Sequence, residues 1–291
     1  MLPKVSPNER HMIALDLDGT VLDHGDHGGA GEIPESGYID PDLARAIRAL
    51  HEAGHEVIIA TGRSVDATLP IVEALRIRPD WVIAANGAVT LKRDTLATRA
   101  YRHEYVEAFD PTSALKKIRT QLATARYAVE LASGGFLYTE EIPAGTLPQS
   151  KRRVPFEELL GVQASRVIVF SPDERLERFM SVVESLGLTH VSYSVGTSSW
   201  LDIAPDGVTK ASALEVLASR LDIPRSRVFA AGDGRNDIDM LRWAARHGDS
   251  VAMGQATPEV QAAAGRVTGT IGEVGLLAAL RDRFPELAQL V

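Results

Sequence analysis

The chain has 291 residues, 39 of them acidic and 31 basic, for a net charge of −8 with histidine neutral. At about 150 residues per domain this length suggests two domains, and a hydrophobic content of 45% excludes a mostly disordered chain. The complete lack of cysteine excludes a disulfide scaffold, a zinc–cysteine site, an iron–sulfur cluster and a cysteine nucleophile. No dense basic stripe speaks for nucleic acid, since the run Lys151–Arg153 is short. The N-terminal apolar run is brief and acids follow at once, so it does not read as a signal peptide. No stretch approaches the ~18 apolar residues of a membrane span. A soluble cytoplasmic protein with neither nucleic-acid nor membrane partners is expected.

Met12 to Leu17 is short and apolar and reads as a buried strand. Asp23 to Gly37 is glycine-rich and polar and reads as a mobile loop. Asp40-Pro41 then opens a helix, with Leu43, Ala46, Ile47 and Leu50 on one face and Gly54 as its stop. Val57 to Ala60 is the next strand. A helix to about Leu75 follows, its start blurred by Pro70, and Trp81 to Ala85 is a third strand. Strands joined by helical crossovers imply a parallel sheet. The last third repeats the rhythm: a helix from about Thr209 to Leu221, a strand at Arg227–Ala231, a helix from about Asn236 to Arg246, a strand at Ser250–Met253 and a helix opened by Thr257-Pro258-Glu259. The middle mixes strand-like stretches with helical ones at Ala114–Leu122 and Glu174–Leu186. The expected fold class is therefore α/β, a Rossmann-like parallel-sheet core in two pieces (1–88 and 202–291) with an α+β domain inserted at 89–201.

In an open α/β sheet, ligands bind beyond the carboxyl ends of the strands. The first strand runs into Asp16-Leu17-Asp18-Gly19-Thr20, the second into Thr61-Gly62-Arg63, the third into Asn86-Gly87, and the strand after the insertion into Gly232-Asp233-Gly234-Arg235-Asn236-Asp237. Asp16, Asp18 and Asp233 in one crevice repel one another unless a cation or proton neutralises them. Oxygen donors without His or Cys suit Mg²⁺. A lysine, a threonine and helix N-terminal amides can hold a phosphate. The combination points to phosphoryl transfer. Lys210, taken alone, is an ordinary solvated lysine. At a helix start, however, a cation is electrostatically misplaced, which a function would explain. A calcium loop fails, because counting from Asp233 puts Ile238 at position six and Ala244 at position twelve. No P-loop pattern is present. His24 and His27 read as loop residues rather than metal ligands. Arg119, Arg126 and Lys151–Arg153 read as solvated surface of the inserted part.

DLDGT at 16–20, Thr61, Lys210 and GDGRND at 232–237 resemble the four motifs of the haloacid-dehalogenase-like (HAD) superfamily, in the same order and structural positions. The subgroup the chain is most similar to is the Cof-type phosphatases, through TGR at 61–63, NGA at 86–88, GVTK at 207–210, GDGRNDIDML at 232–241, and Val251–Gly254 followed by a Pro-Glu-Val helix. In the insertion the resemblance is positional only, its place matching the family's large cap.

The resemblance implies roles. Asp16 would be the nucleophile that forms an aspartyl-phosphate, and Asp18 the general acid and then base. Thr61, the Gly62 amide and Lys210 would hold the phosphoryl group, with Asn236 also on the phosphate side and Arg63 and Asn86 as substrate contacts. Asp16, the Asp18 carbonyl, Asp233 and Asp237 would form the Mg²⁺ site, Asp237 as a direct ligand or one step behind. The implied partner is a small phosphorylated metabolite, a sugar phosphate by default. A sugar phosphomutase and a non-catalytic phosphometabolite-binding protein remain alternatives. Oligomeric state is not legible from the pattern of apolar faces.

Overall fold

The computed structural model describes residues 2–25, 37–97, 99–142, 147, 150–188, 191–195 and 199–289. In chain order the elements are β1 (Met12–Leu15), α1 (Pro41–Ala53), β2 (Glu56–Ala60), α2 (Val65–Ala74), β3 (Trp81–Ala84), β4 (Val89–Arg93) and β5 (Tyr101–Val106). There follow α3 (Thr112–Gln121), β6 (Arg126–Leu131), β7 (Phe136–Tyr138), β8 (Lys151–Arg153), β9 (Ala164–Phe170), α4 (Leu176–Ser185), β10 (Val191–Val195) and β11 (Trp200–Pro205). The chain ends with α5 (Lys210–Arg220), β12 (Val228–Gly232), α6 (Ile238–Ala245), β13 (Asp249–Ala252), α7 (Pro258–Gln261), β14 (Arg266–Val267) and α8 (Gly275–Arg283).

Two sheets organise these elements. The first has the order β14-β13-β12-β1-β2-β3-β4-β5, parallel from β14 to β3. Its central strands are apolar on both faces, as helices on both sides require. Ile13, Leu15, Val57 and Ile59 pack toward α1 and α8, whereas Met12, Ala14, Ile58 and Ala60 pack toward α5 and α6. The α1 start behaves as its sequence predicts: Asp40 accepts from the amides of Asp42 and Leu43 at 2.9 Å, and Gly54 closes the helix at φ 105°. Pro70 lies inside α2, where it removes one backbone bond without ending the helix.

The second sheet, β10-β11-β9-β6-β7-β8, is antiparallel except for β7 with β8. Side chains alternate across it. Tyr127, Val129, Val167, Val169, Leu201 and Ile203 pack with α3 and α4 residues such as Leu115, Ile118, Phe179 and Val183. The opposite face carries Ala128, Glu130, Arg166, Ile168, Trp200 and Asp202. β8 is the charged run Lys151–Arg153, paired as an edge strand, and its charges blunt that edge.

Residues 89–106 differ from expectation. They are expected in the insertion, but β4 and β5 continue the first sheet antiparallel to β3. The cause is the tight turn at Ala85–Gly87, where three successive residues have positive φ and the chain reverses onto β3. At the other end β11 carries the second sheet on to Pro205, beyond the expected 201. Of the expected mobile loop, residues 26–36, with His27, lie outside the described residues. Among the described residues, no helix is long and apolar enough to cross a membrane.

Candidate active site

β1 and β12 are neighbours, but the chain continues from β1 toward β2 and β3, and from β12 toward β13 and β14. Their carboxyl ends therefore flank a switch point, where connections diverge and leave a crevice. Asp16 leaves β1 there and Asp233 leaves β12. Gly19 makes the approach possible. Its φ is +75°, and a Cβ on it would lie 2.1 Å from Asp233 Oδ2.

Lys210 is fully buried at the first turn of α5. The helix start is fixed by Thr209, whose hydroxyl accepts from the Ser212 amide at 3.2 Å while Ser212 Oγ accepts from the Thr209 amide at 3.0 Å. Lys210 Nζ donates to Asp16 Oδ1 at 2.6 Å and to Asp237 Oδ1 at 2.7 Å. The other Asp237 oxygen accepts from the amides of Asp233 at 3.1 Å and Gly234 at 2.9 Å. Burial works against the Lys210 charge, but Asp16 and Asp237 outweigh it and hold the ammonium protonated. Burial pushes the Asp16 carboxyl well above its usual range, Asp237 adds to the push, and Lys210 opposes it. Burial and then Asp237 raise Asp233 to about 6.

Asp16, Asp233 and Asp237 each offer an oxygen within 4.8 Å of the others. Three carboxylates face one ammonium, so the ionised cluster carries two excess negative charges. Hard oxygen donors with that excess fit a divalent cation such as Mg²⁺. Both Asp237 oxygens are already engaged by donors, whereas Asp16 Oδ2 and the Asp233 carboxylate keep acceptor positions open.

The phosphate side is built from two turns that interlock. The Asn86 amide donates to the Thr61 carbonyl at 3.0 Å, and the Ala85 amide to the Arg63 carbonyl at 2.8 Å. Asn86 sits at φ 55°, a strained region for a non-glycine residue that recurs at functional sites. Asn236 Nδ2 donates to Asn86 Oδ1 at 2.9 Å, which joins the loop after β12 to the loop after β3. Thr61 is buried and its hydroxyl accepts from the Arg63 amide at 3.1 Å.

Arg63 and Asp18 form a bidentate pair, Nε to Oδ2 at 2.8 Å and Nη2 to Oδ1 at 2.5 Å. His24 Nε2 lies 2.7 Å from the same Oδ1. Burial opposes ionisation of Asp18, but the hydrogen bonds from Arg63 and His24 outweigh it and hold its carboxyl well below the usual range. Arg63, expected as a substrate contact, thus grips Asp18 in this structure. His24, expected as an ordinary loop residue, touches the site.

Sequence reasoning missed three further groups. Gln255 Nε2 donates to the Gly19 carbonyl at 2.6 Å and lies 3.5 Å from Asp233 Oδ2. Arg166 on β9 bonds Glu130 on β6 at 3.0 Å and reaches across to donate to the Gly62 carbonyl. Asp202 on β11 lines the same cleft as Lys210, Asn86 and Asn236. One signal was present: Asp202 is an acid on the alternation Trp200, Asp202, Ala204, in a strand otherwise apolar. Arg119 and Arg126 stay outside the cleft, Arg119 over Tyr127 and Phe156 and Arg126 over Phe170.

The sequence model of the haloacid dehalogenase-like hydrolases matches residues 13–280. The chain is 26% identical over 313 residues to the phosphatase YwpJ of Bacillus subtilis, with 91% of this chain and 96% of the relative covered. It is 24% identical over 287 residues to the 5-amino-6-(5-phospho-D-ribitylamino)uracil phosphatase YitU of the same organism, covering 94% and 97%. Among solved structures, the subclass IIB sugar phosphatase BT4131 superposes with a TM-score of 0.73 at 21% identity, covering 95% of this chain and 99% of that one. The chain belongs to the haloacid dehalogenase-like hydrolases and, within them, to the Cof-type phosphatases. It is a phosphatase enzyme.

Proposed function

We propose that the chain is a Mg²⁺-dependent phosphatase that hydrolyses a small phosphorylated metabolite, a sugar phosphate first, through an aspartyl-phosphate on Asp16. The observation that carries this reading is the Asp16 carboxylate at the switch point, held by Lys210 at 2.6 Å on one oxygen and open on the other. A sugar phosphate is supported by the likeness to the sugar phosphatase BT4131.

In this reading Asp16 and Asp233, with the Asp18 carbonyl, hold the ion. Asp237 holds Lys210 and the loop after β12. When bound, Mg²⁺ neutralises charge on the transferring phosphoryl group. Lys210, Thr61, the Gly62 amide and Asn236 orient that group for in-line attack. The free oxygen of Asp16 forms the new bond to phosphorus as the bond to the leaving oxygen breaks. Asp18 gives the leaving oxygen its proton, then takes one from the water that attacks phosphorus, as the bond from Asp16 to phosphorus breaks and phosphate leaves. The grip of Arg63 and His24 keeps this carboxylate ionised and weakly basic, so both halves of the cycle require Arg63 to let go. Residues of the second sheet act as a cap over the crevice and exclude bulk water.

The test is phosphate release from a panel of sugar, polyol and nucleotide phosphates plus 4-nitrophenyl phosphate, with Mg²⁺ and with EDTA. Release that needs Mg²⁺ is expected. The phosphomutase and binding alternatives both predict no net release, and release unaffected by EDTA removes the metal from the proposal.

A further inference from the structure

Beyond the four loops, the cleft lining holds two acids, Asp202 and Asp239, and Asp202 is the one with a buried oxygen left unpaired. Asp202 Oδ2 accepts from the Trp200 indole N–H at 2.8 Å. Its Oδ1 is buried and accepts no hydrogen bond. Arg166 Nη1 stops 3.6 Å away, because Arg166 is already committed to Glu130 and to the Gly62 carbonyl. An ionised carboxylate offers about four acceptor positions, and buried polar atoms in native folds nearly always have partners. Asp202 also lines the cleft that reaches Lys210, Asn86 and Asn236, so a group bound to phosphate there would extend toward it. On the neighbouring strand β10, Tyr193 lines the same cleft with its side chain exposed.

The charges on this side of the cleft do not cancel. Glu130, Arg166 and Asp202 sum to one negative charge when ionised, and Arg235 and Asp239, which line the same cleft, offset each other. That excess favours a leaving group rich in donors and disfavours one with its own carboxylate or second phosphate.

We infer that Asp202 reads the organic part of the substrate: it accepts hydrogen bonds from hydroxyl or ammonium donors, so the substrate class is a phosphorylated polyol or amino polyol without a second anionic group. Tyr193 covers the carbon face of that polyol. This inference rests on the phosphatase reading above. It adds a chemical selection rule and the residue that imposes it.

The experiment compares two matched pairs with Mg²⁺ present: glucitol 6-phosphate with 6-phosphogluconate, and glycerol 3-phosphate with 3-phosphoglycerate. Each pair differs by a carboxylate in the leaving group, and 4-nitrophenyl phosphate serves as a substrate with no hydroxyl to read. kcat/KM is measured for the wild type and for Asp202→Asn. The wild type should prefer the uncharged member of at least one pair by about tenfold or more. Asp202→Asn should shrink that preference toward unity and leave 4-nitrophenyl phosphate within about threefold of wild type. A merely structural role would lower all the substrates together, and that result overturns the inference. The wild-type ratios alone also decide it, since indifference or a preference for the carboxylates overturns it without any variant. Hydrolysis of the aryl ester without discrimination defeats the inference and leaves the phosphatase reading standing. No release from any substrate defeats the reading, and the inference with it.

Discussion

On one side of the cleft Lys210 lies between Asp16 and Asp237; on the other Arg166 lies between Glu130 and Asp202. Both cations are buried, and both stand between two acids. Their geometry differs. Lys210 contacts both partners at 2.6 and 2.7 Å, a closed arrangement to which Asp233 adds a third carboxylate. Arg166 closes on Glu130 at 3.0 Å but stays 3.6 Å from Asp202, and spends its remaining reach on the Gly62 carbonyl. A compact ammonium suits a point of charge balance beside a metal. A forked guanidinium suits a joint between two sheets. The first arrangement leaves an excess of acid fitted to a divalent ion, and the second leaves one carboxylate oxygen fitted to a hydroxyl.

The largest effect should come from the acid that faces the open side of Lys210. Asp16→Asn keeps the shape and removes the attacking charge. Phosphate release should fall by about 10³-fold or more, since removing a nucleophile costs most of the chemical acceleration. Steady-state phosphate assays on the preferred substrate measure it. A variant that retained wild-type turnover would take Asp16 out of the nucleophile role.

The same contrast explains what the sequence could show. Asp16, Asp18 and Asp233 each follow an apolar strand, Lys210 breaks the dipole preference of a helix start, and the divergence of connections in an open sheet sends all of them to one crevice. Local pattern therefore reached them. Glu130, Arg166 and Asp202 lie on three strands whose partnership is set by register, with Glu130 opposite Arg166 and Asp202 opposite Ile168. No local pattern encodes that pairing. β4 and β5 escape local reading for a related reason: their membership of the first sheet depends on a reversal at Asn86, which a sequence shows only as Asn-Gly. His24 reads as loop because only the folded turn brings it back onto Asp18.

Removing each buried cation sharpens the comparison. Lys210→Met strands the buried carboxylates of Asp16 and Asp237, and Arg166→Met strands that of Glu130; losing one partner of a buried pair costs about 3–5 kcal/mol. In a chain of this size about 3 kcal/mol corresponds to a fall of roughly 6–12 °C in melting temperature. The two variants should then part company. Mg²⁺ can neutralise Asp16 and Asp233, so it should raise the melting temperature of Lys210→Met by more than it raises that of the wild type. Bound at about a hundred times its dissociation constant, a ligand adds about 2.7 kcal/mol. Arg166→Met should respond to Mg²⁺ no more than the wild type does. Thermal melts in EDTA and in Mg²⁺ check this, and equal responses of the two variants would erase the distinction between the two sites.

The smallest effect lies at the opposite end of the same strands, where a buried acid meets its cation only at 3.7 Å. Glu56 opens β2, and Arg10 Nη1 is 3.7 Å from its carboxylate. Burial, with a push from Asp80, raises Glu56 to about 7. The folded chain therefore holds a proton that the unfolded chain releases near pH 4.5. Between those two values stability falls as pH rises, because the unfolded state binds fewer protons. Glu56→Gln removes this loss. Its advantage over wild type should be near zero below pH 4.5 and grow to about 1–3 kcal/mol by pH 8, after a discount for partial solvent access. His55 beside it has the opposite sign: burial, aided by His11 and Arg283, lowers it to about 4. Its contribution is present above pH 6.5 and is lost as pH falls toward 4. Unfolding curves of the two proteins from pH 4 to 8, in saturating Mg²⁺ to hold the other end of the sheet constant, isolate the Glu56 term. A difference that stayed flat across that range would mean Glu56 is ionised at no cost, and that the foot of the sheet lacks the frustration built into its mouth.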